Sequence, residues 1–92
     1  MTVYLLEAYL ARSQSGDLTG IGRRLRQAAQ NLPVRYLRTT YVPEDETCFH
    51  YVEAPSVSAV ERLAERAQVS FDRILEARNV AVSTTSDSKE ER

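Results

Sequence analysis

The chain has one cysteine, one histidine, no tryptophan, three glycines and three prolines in 92 residues. A single cysteine excludes an internal disulfide and any Cys-x-x-Cys redox or metal motif, and a single histidine excludes a His-x-x-x-His metal site. The glycines do not form a phosphate loop. Gly20-Ile21-Gly22 is followed by Arg23-Arg24-Leu25 and lacks the third glycine of a dinucleotide fingerprint. A net charge of -1 gives no long-range attraction to nucleic acid or to anionic membrane, and no apolar run approaches the roughly 20 residues that span a bilayer. The start, Met1-Thr2-Val3-Tyr4, lacks the basic and apolar regions of a signal peptide. The expectation is a soluble cytoplasmic protein that binds neither nucleic acid nor membrane.

What is present is ordinary globular composition, 42% hydrophobic and 27% charged, in a chain long enough for one small domain with a modest core. Residues 2–11 are rich in aliphatic and aromatic side chains and read as a strand. Tyr4, Leu6, Ala8 and Leu10 lie on one face, and Val3, Leu5, Glu7 and Tyr9 on the other. Ser13-Gln14-Ser15-Gly16 is turn chemistry. Ser15 or Asp17 then caps a helix with Leu18, Ile21, Leu25, Ala28 and Leu32 at helical spacing, and Pro33 ends it. Residues 34–42 and 47–54 read as strands joined by the acidic loop Pro43-Glu44-Asp45-Glu46. If Val42 and Thr47 pair across that loop, Tyr41 faces Cys48, Thr39 faces His50 and Arg38 faces Tyr51, so Thr39, Tyr41, Cys48 and His50 cluster. Ser56 or Ser58 caps a second helix with an apolar stripe of Val57, Val60, Leu63, Ala64 and Ala67, and residues 74–82 form a fourth strand.

The order strand, helix, strand, strand, helix, strand, with right-handed crossovers, predicts a ferredoxin-like βαββαβ two-layer α+β sandwich over residues 1–82, strands one and three central. Residues 83–92 read as a polar, disordered tail. Two helices cover only one face of a four-stranded sheet. Val3, Leu5, Tyr9, Ile74, Val80 and Val82 are expected on the other, which predicts a homodimer closed face to face.

Cys48 and His50, two apart on a strand, point to the same side, and thiolate with imidazole suits a borderline metal such as nickel, zinc or copper. Glu53 points away. Glu7 on the neighbouring strand joins them if the faces match, giving Glu7, Cys48 and His50 as candidate metal ligands. Tyr9, Tyr36, Tyr41 and Tyr51 with His50 and Glu7 are candidates to line a pocket for a small organic ligand, Tyr9 and Tyr41 foremost. Against each stands a plain structural reading, since a lone cysteine is commonly a core residue and a lone histidine commonly satisfies a local hydrogen bond. Arg23, Arg24, Arg26, Arg35 and Arg38 form the one basic cluster and read as solvated surface. A cofactor-free enzyme using His50 as acid or base, of isomerase or monooxygenase type, and a protein-interaction domain are the alternatives. No catalytic set accompanies His50, so no catalytic residue is assigned.

The segment Pro-Glu-Asp-Glu-Thr-Cys-Phe-His from Pro43, then Glu-Ala-Pro-Ser from Glu53, with Arg35-Tyr36-Leu37-Arg38 before and Ser70 to Ala77 after, resembles a bacterial family, domain of unknown function 4242, which includes nickel-binding ferredoxin-like proteins. The resemblance spans about residues 2–80. It implies a dimeric ferredoxin-like sandwich, nickel binding in some relatives and no established reaction. Relatives often carry a histidine on the second helix where this chain has Leu63.

Overall fold

The computed structural model describes residues 1–81. Alternating hydrophobicity builds β1 (Thr2–Tyr9), and a 3-10 turn (Arg12–Asp17) leads into α1 (Leu18–Ala29). Strands β2 (Arg35–Val42) and β3 (Thr47–Ala54) flank a tight turn at Pro43–Asp45; α2 (Val57–Ala67) and β4 (Arg73–Ala77) follow. The sheet is antiparallel in the order β2-β3-β1-β4, so β1 and β3 are central, as the strand order predicts, and both helices lie on one face. This is the ferredoxin-like α+β sandwich.

The core lies between that face and the helices. Tyr4, Leu6, Val52 and Ala54 of the sheet meet Leu25, Ala28 and Ala29 of α1 and Val60, Leu63, Ala64 and Ala67 of α2. Burying such side chains contributes about 1.5–3 kcal/mol for each large one. Small alanines on the facing stripes let the two helices sit close. Ser56 starts α2, its Oγ accepting from the Ala59 N–H at 3.3 Å. Gln68 ends the helix in the left-handed region at φ 58°, a conformation glycine adopts more easily.

Several expectations need correction. Neither Ser15 nor Asp17 caps α1 with its side chain, because the 3-10 turn runs straight into the helix and its carbonyls take the first N–H groups; Leu18 donates to Ser15 O. The fourth strand stops at Ala77, where pairing with β1 ends at Val3. Ile74 pairs with Leu6 and packs into the core, while Leu75, opposite Leu5, takes the open face instead. Val80 is exposed beyond the strand. Val82 and the expected tail over residues 83–92 lie outside the described residues.

The hairpin register agrees with the expectation: Val42 pairs with Thr47, Tyr41 with Cys48, Thr39 with His50 and Arg38 with Tyr51. Glu46 closes the turn in the left-handed region at φ 49°. One irregularity intervenes. The ladder shifts between Tyr36 and Arg38, which leaves Leu37 as an extra residue and puts Tyr36 and Thr39 on the same, helix-covered side.

Candidate functional site

Period-two alternation along β3 turns Cys48, His50, Val52 and Ala54 toward the helices. His50 is 1% exposed and Cys48 2%, which makes His50 the one buried polar side chain beneath them among the described residues. Burial lowers the His50 pKa from 6.5 to about 4, because a charged imidazole there would lose its hydration without gaining a counter-charge. The ring is therefore neutral at pH 7. Burial likewise raises the Cys48 thiol.

Both ring nitrogens have partners. Nδ1 lies 2.8 Å from Thr39 Oγ1, which lies 2.6 Å from the Tyr36 hydroxyl; Nε2 lies 3.7 Å from Cys48 Sγ. Four side chains thus form one chain of contacts from the β2 edge to the sheet centre. Gly22 of α1 makes room at its outer end, since a Cβ there would stand 3.0 Å from the Tyr36 hydroxyl.

At its inner end the chain borders a cavity of about 160 Å³, closed by Ile21 and Arg24 of α1, the end of β1 and the segment Gln68–Asp72. Arg24 donates from Nε to Ala67 O at 3.0 Å and from Nη2 to Gln68 O at 3.3 Å, tying α1 to the carbonyl end of α2 beside the cavity. Asp72 also lines it. One of its carboxylate oxygens accepts from the Tyr9 N–H at 2.8 Å, and its own N–H donates to Glu7 O at 2.7 Å. Tyr36 stands among the aromatics expected to line a pocket and Arg24 in the basic cluster, but the contacts they make here, like those of Asp72, carry no sequence signal. The first is turned inward by an irregularity, and the other two work through backbone groups distant in sequence.

The five foremost sequence-derived candidates divide between the faces. Cys48 and His50 meet. Glu7 faces the open side, where Arg73 Nε donates to it at 2.9 Å, so the condition that its face match theirs is not met. Tyr41 lies on the covered side, but its hydroxyl donates to Leu10 O at 2.7 Å, and its half-buried position, with the Glu46 carboxylate near, raises its pKa. Tyr9 is 64% exposed at the sheet end, its hydroxyl donating to Glu46 Oε1 at 3.3 Å. Tyr9 borders the Cys48–His50 cavity and Tyr41 a separate groove, so no single pocket holds both. Among the described residues no three His, Cys, Asp or Glu side chains gather closely enough to hold a metal ion unaided. Leu63 is fully buried core.

Residues 5–77 match the family described as nickel responsive protein SCO4226-like. The chain is also similar to the crystal structure of SCO4226 from Streptomyces coelicolor A3(2), with TM-score 0.75 and 22% identity over 86% of this chain and 99% of that one, a likeness of fold. No curated protein matches the chain.

Proposed function

The chain belongs to the SCO4226-like family of nickel responsive proteins, and from that premise we propose that it is a small dimeric binding protein whose Cys48 and His50 offer two donor positions to a borderline divalent metal, nickel first. The observation that carries this reading is the placement of Sγ and Nε2, 3.7 Å apart on one cavity. A sulfur and a nitrogen at ordinary metal distances are about 3.6 Å apart at a tetrahedral angle and about 3.1 Å apart at the right angle that nickel favours, so the pair fits a tetrahedral ion almost as it stands and nickel after the two atoms close by about half an ångström. In the tautomer whose Nδ1–H donates to Thr39, Nε2 presents a lone pair to the metal, and burial keeps the ring neutral. Thiolate and imidazole together favour a borderline ion over calcium or magnesium.

The remaining positions fall to water or a small ligand, for which the cavity has room. Because the Cys48 thiol must lose a proton that burial holds on, uptake of the metal releases a proton and strengthens as pH rises. The dimeric part rests on the open face. Val3, Leu5, Phe49, Tyr51 and Leu75 are half-buried there, with the Arg35–Glu53 and Arg73–Glu7 ion pairs beside them, and a second copy would bury that surface isologously.

Calorimetric titration of nickel into the protein and into Cys48→Ala and His50→Ala tests the site. Saturable binding that both substitutions weaken at least about ten-fold is expected; equal binding in all three would remove the pair from the site. Sedimentation at micromolar concentration tests the assembly. A particle of one-chain mass would remove the dimer.

A further inference from the structure

A concavity larger than the one beneath His50 lies elsewhere on the covered side. It is an open groove of about 540 Å³ between α1 and the edge strand β2, and Arg23, Arg26, Tyr36, Thr39 and the backbone of α1 at Gly22 border it. We propose that this groove is a binding site for a small phosphorylated anion.

Charge is the first reason. The groove's lining includes three arginines and no carboxylate, in a protein whose net charge is -1. Neither Arg23 nor Arg26 forms an ion pair among the described residues, whereas Arg35, Arg73 and Arg78 each do. The positive charge of Arg23 and Arg26 is therefore not offset by any carboxylate of the groove's own lining. Arg38 also borders the groove, but its guanidinium rests 3.9 Å over the Tyr51 ring on the open face of the sheet, so the charge that faces the groove is that of Arg23 and Arg26.

Geometry is the second. Arg23 and Arg26 are one helical turn apart, so their side chains rise from the same face of α1 about 5–6 Å apart at Cβ, a spacing that lets two guanidinium forks take different oxygens of one phosphoryl or pyrophosphoryl group. The Arg26 guanidinium already rests over the Tyr36 ring at 5.4 Å, which orders it and gives the groove an aromatic wall. The glycine at position 22 removes the side chain that would otherwise fill the floor and strike the Tyr36 hydroxyl.

The third reason is a polar floor that leads somewhere. The Tyr36 hydroxyl touches Thr39 Oγ1, and that oxygen touches His50 Nδ1. An anion that accepts the Tyr36 proton orients the chain: Thr39 donates to Tyr36, and His50 Nδ1–H donates to Thr39. Occupation of the groove thus selects one tautomer of the sole histidine.

Inorganic pyrophosphate is the probe, added at low salt to uniformly 15N-labelled full-length protein while the two His50 ring nitrogens are followed by NMR. Saturable binding with a Kd below about 1 mM and a shift of His50 toward the Nδ1–H tautomer is expected. The exposed Arg23→Gln/Arg26→Gln double variant, which leaves the core untouched, should bind at least about ten-fold more weakly. Tyr36→Phe should keep affinity to within about five-fold while losing the His50 response. Absence of saturation at 10 mM, a figure of about -2.7 kcal/mol at best, would overturn the proposal. So would undiminished binding in the double variant, or oligonucleotides whose affinity climbs with length and far exceeds that of pyrophosphate, which would assign the groove to nucleic acid.

Discussion

The two faces of the sheet are built from alternate residues of the same strands, yet they treat polar groups in opposite ways. On the covered face His50 is buried without a counter-charge and stays neutral, its ring nitrogens engaged by Thr39 and Cys48. On the open face Glu7 and Glu53 form ion pairs with Arg73 and Arg35, at 2.9 and 2.8 Å, with solvent at hand. Chemistry that needs a neutral donor fits the first environment. Contacts that can be exchanged for those of another copy fit the second.

The sharpest way to break this contrast is to truncate neighbouring leucines on β1. Leu6 is fully buried and Leu5 half-buried on the reverse side. Leu6→Ala should cost about 3 kcal/mol of unfolding free energy, against about 1 kcal/mol for Leu5→Ala in dilute protein. Urea denaturation followed by circular dichroism measures both. Equal losses would mean the open face is packed as tightly as the covered one within a single chain.

The next prediction concerns His50 alone. Its folded pKa of about 4 lies below its ordinary 6.5, so between those values the unfolded chain binds the proton first and acid favours unfolding. The contribution is fully present above pH 6.5 and is lost progressively down to pH 4, by about 3 kcal/mol in total. Carboxylates also titrate in this range, so the useful quantity is a difference: His50→Gln should show a shallower decline of stability between pH 6.5 and 4. Parallel profiles would show that the imidazole is hydrated or charged in the folded state.

How much of this was legible in the residues follows from which forces act locally. Period-two alternation was enough to place Cys48 and His50 on one side, whereas the turn Pro43–Glu46 put Thr39 opposite His50 only on the condition, met in the structure, that Val42 pairs with Thr47. The open face of the sheet was visible as a consequence of having two helices, and its β1 members Val3, Leu5 and Glu7 were legible from alternation, but its β4 members were not. Ile74 and Leu75 exchange places because the pairing of β4 with β1 is a long-range match that no neighbouring turn dictates. Tyr36 reaches Thr39 only through the irregularity at Leu37, and Gly22, which in sequence is only part of an incomplete glycine motif, is an opening for the Tyr36 hydroxyl. The arginines read as solvated surface, because sequence spacing does not reveal that a concave wall stands opposite them.

The smallest effect belongs to Glu7, and it tests the separation of the faces most directly. Its partner Arg73 has a side chain 63% exposed, so the ion pair is screened by water and contributes about 0–1 kcal/mol. Glu7→Gln retains the shape and keeps an oxygen for Arg73, so unfolding free energy should fall by less than about 0.5 kcal/mol. Nickel affinity should stay within about two-fold, because β1 turns this side chain away from the side that carries Cys48 Sγ and His50 Nε2. A ten-fold loss in the same titration that tests Cys48 and His50 would make Glu7 a ligand after all. Since a side chain cannot pass through a paired strand, that result would require the metal to sit on the open face, where a second copy would help to hold it.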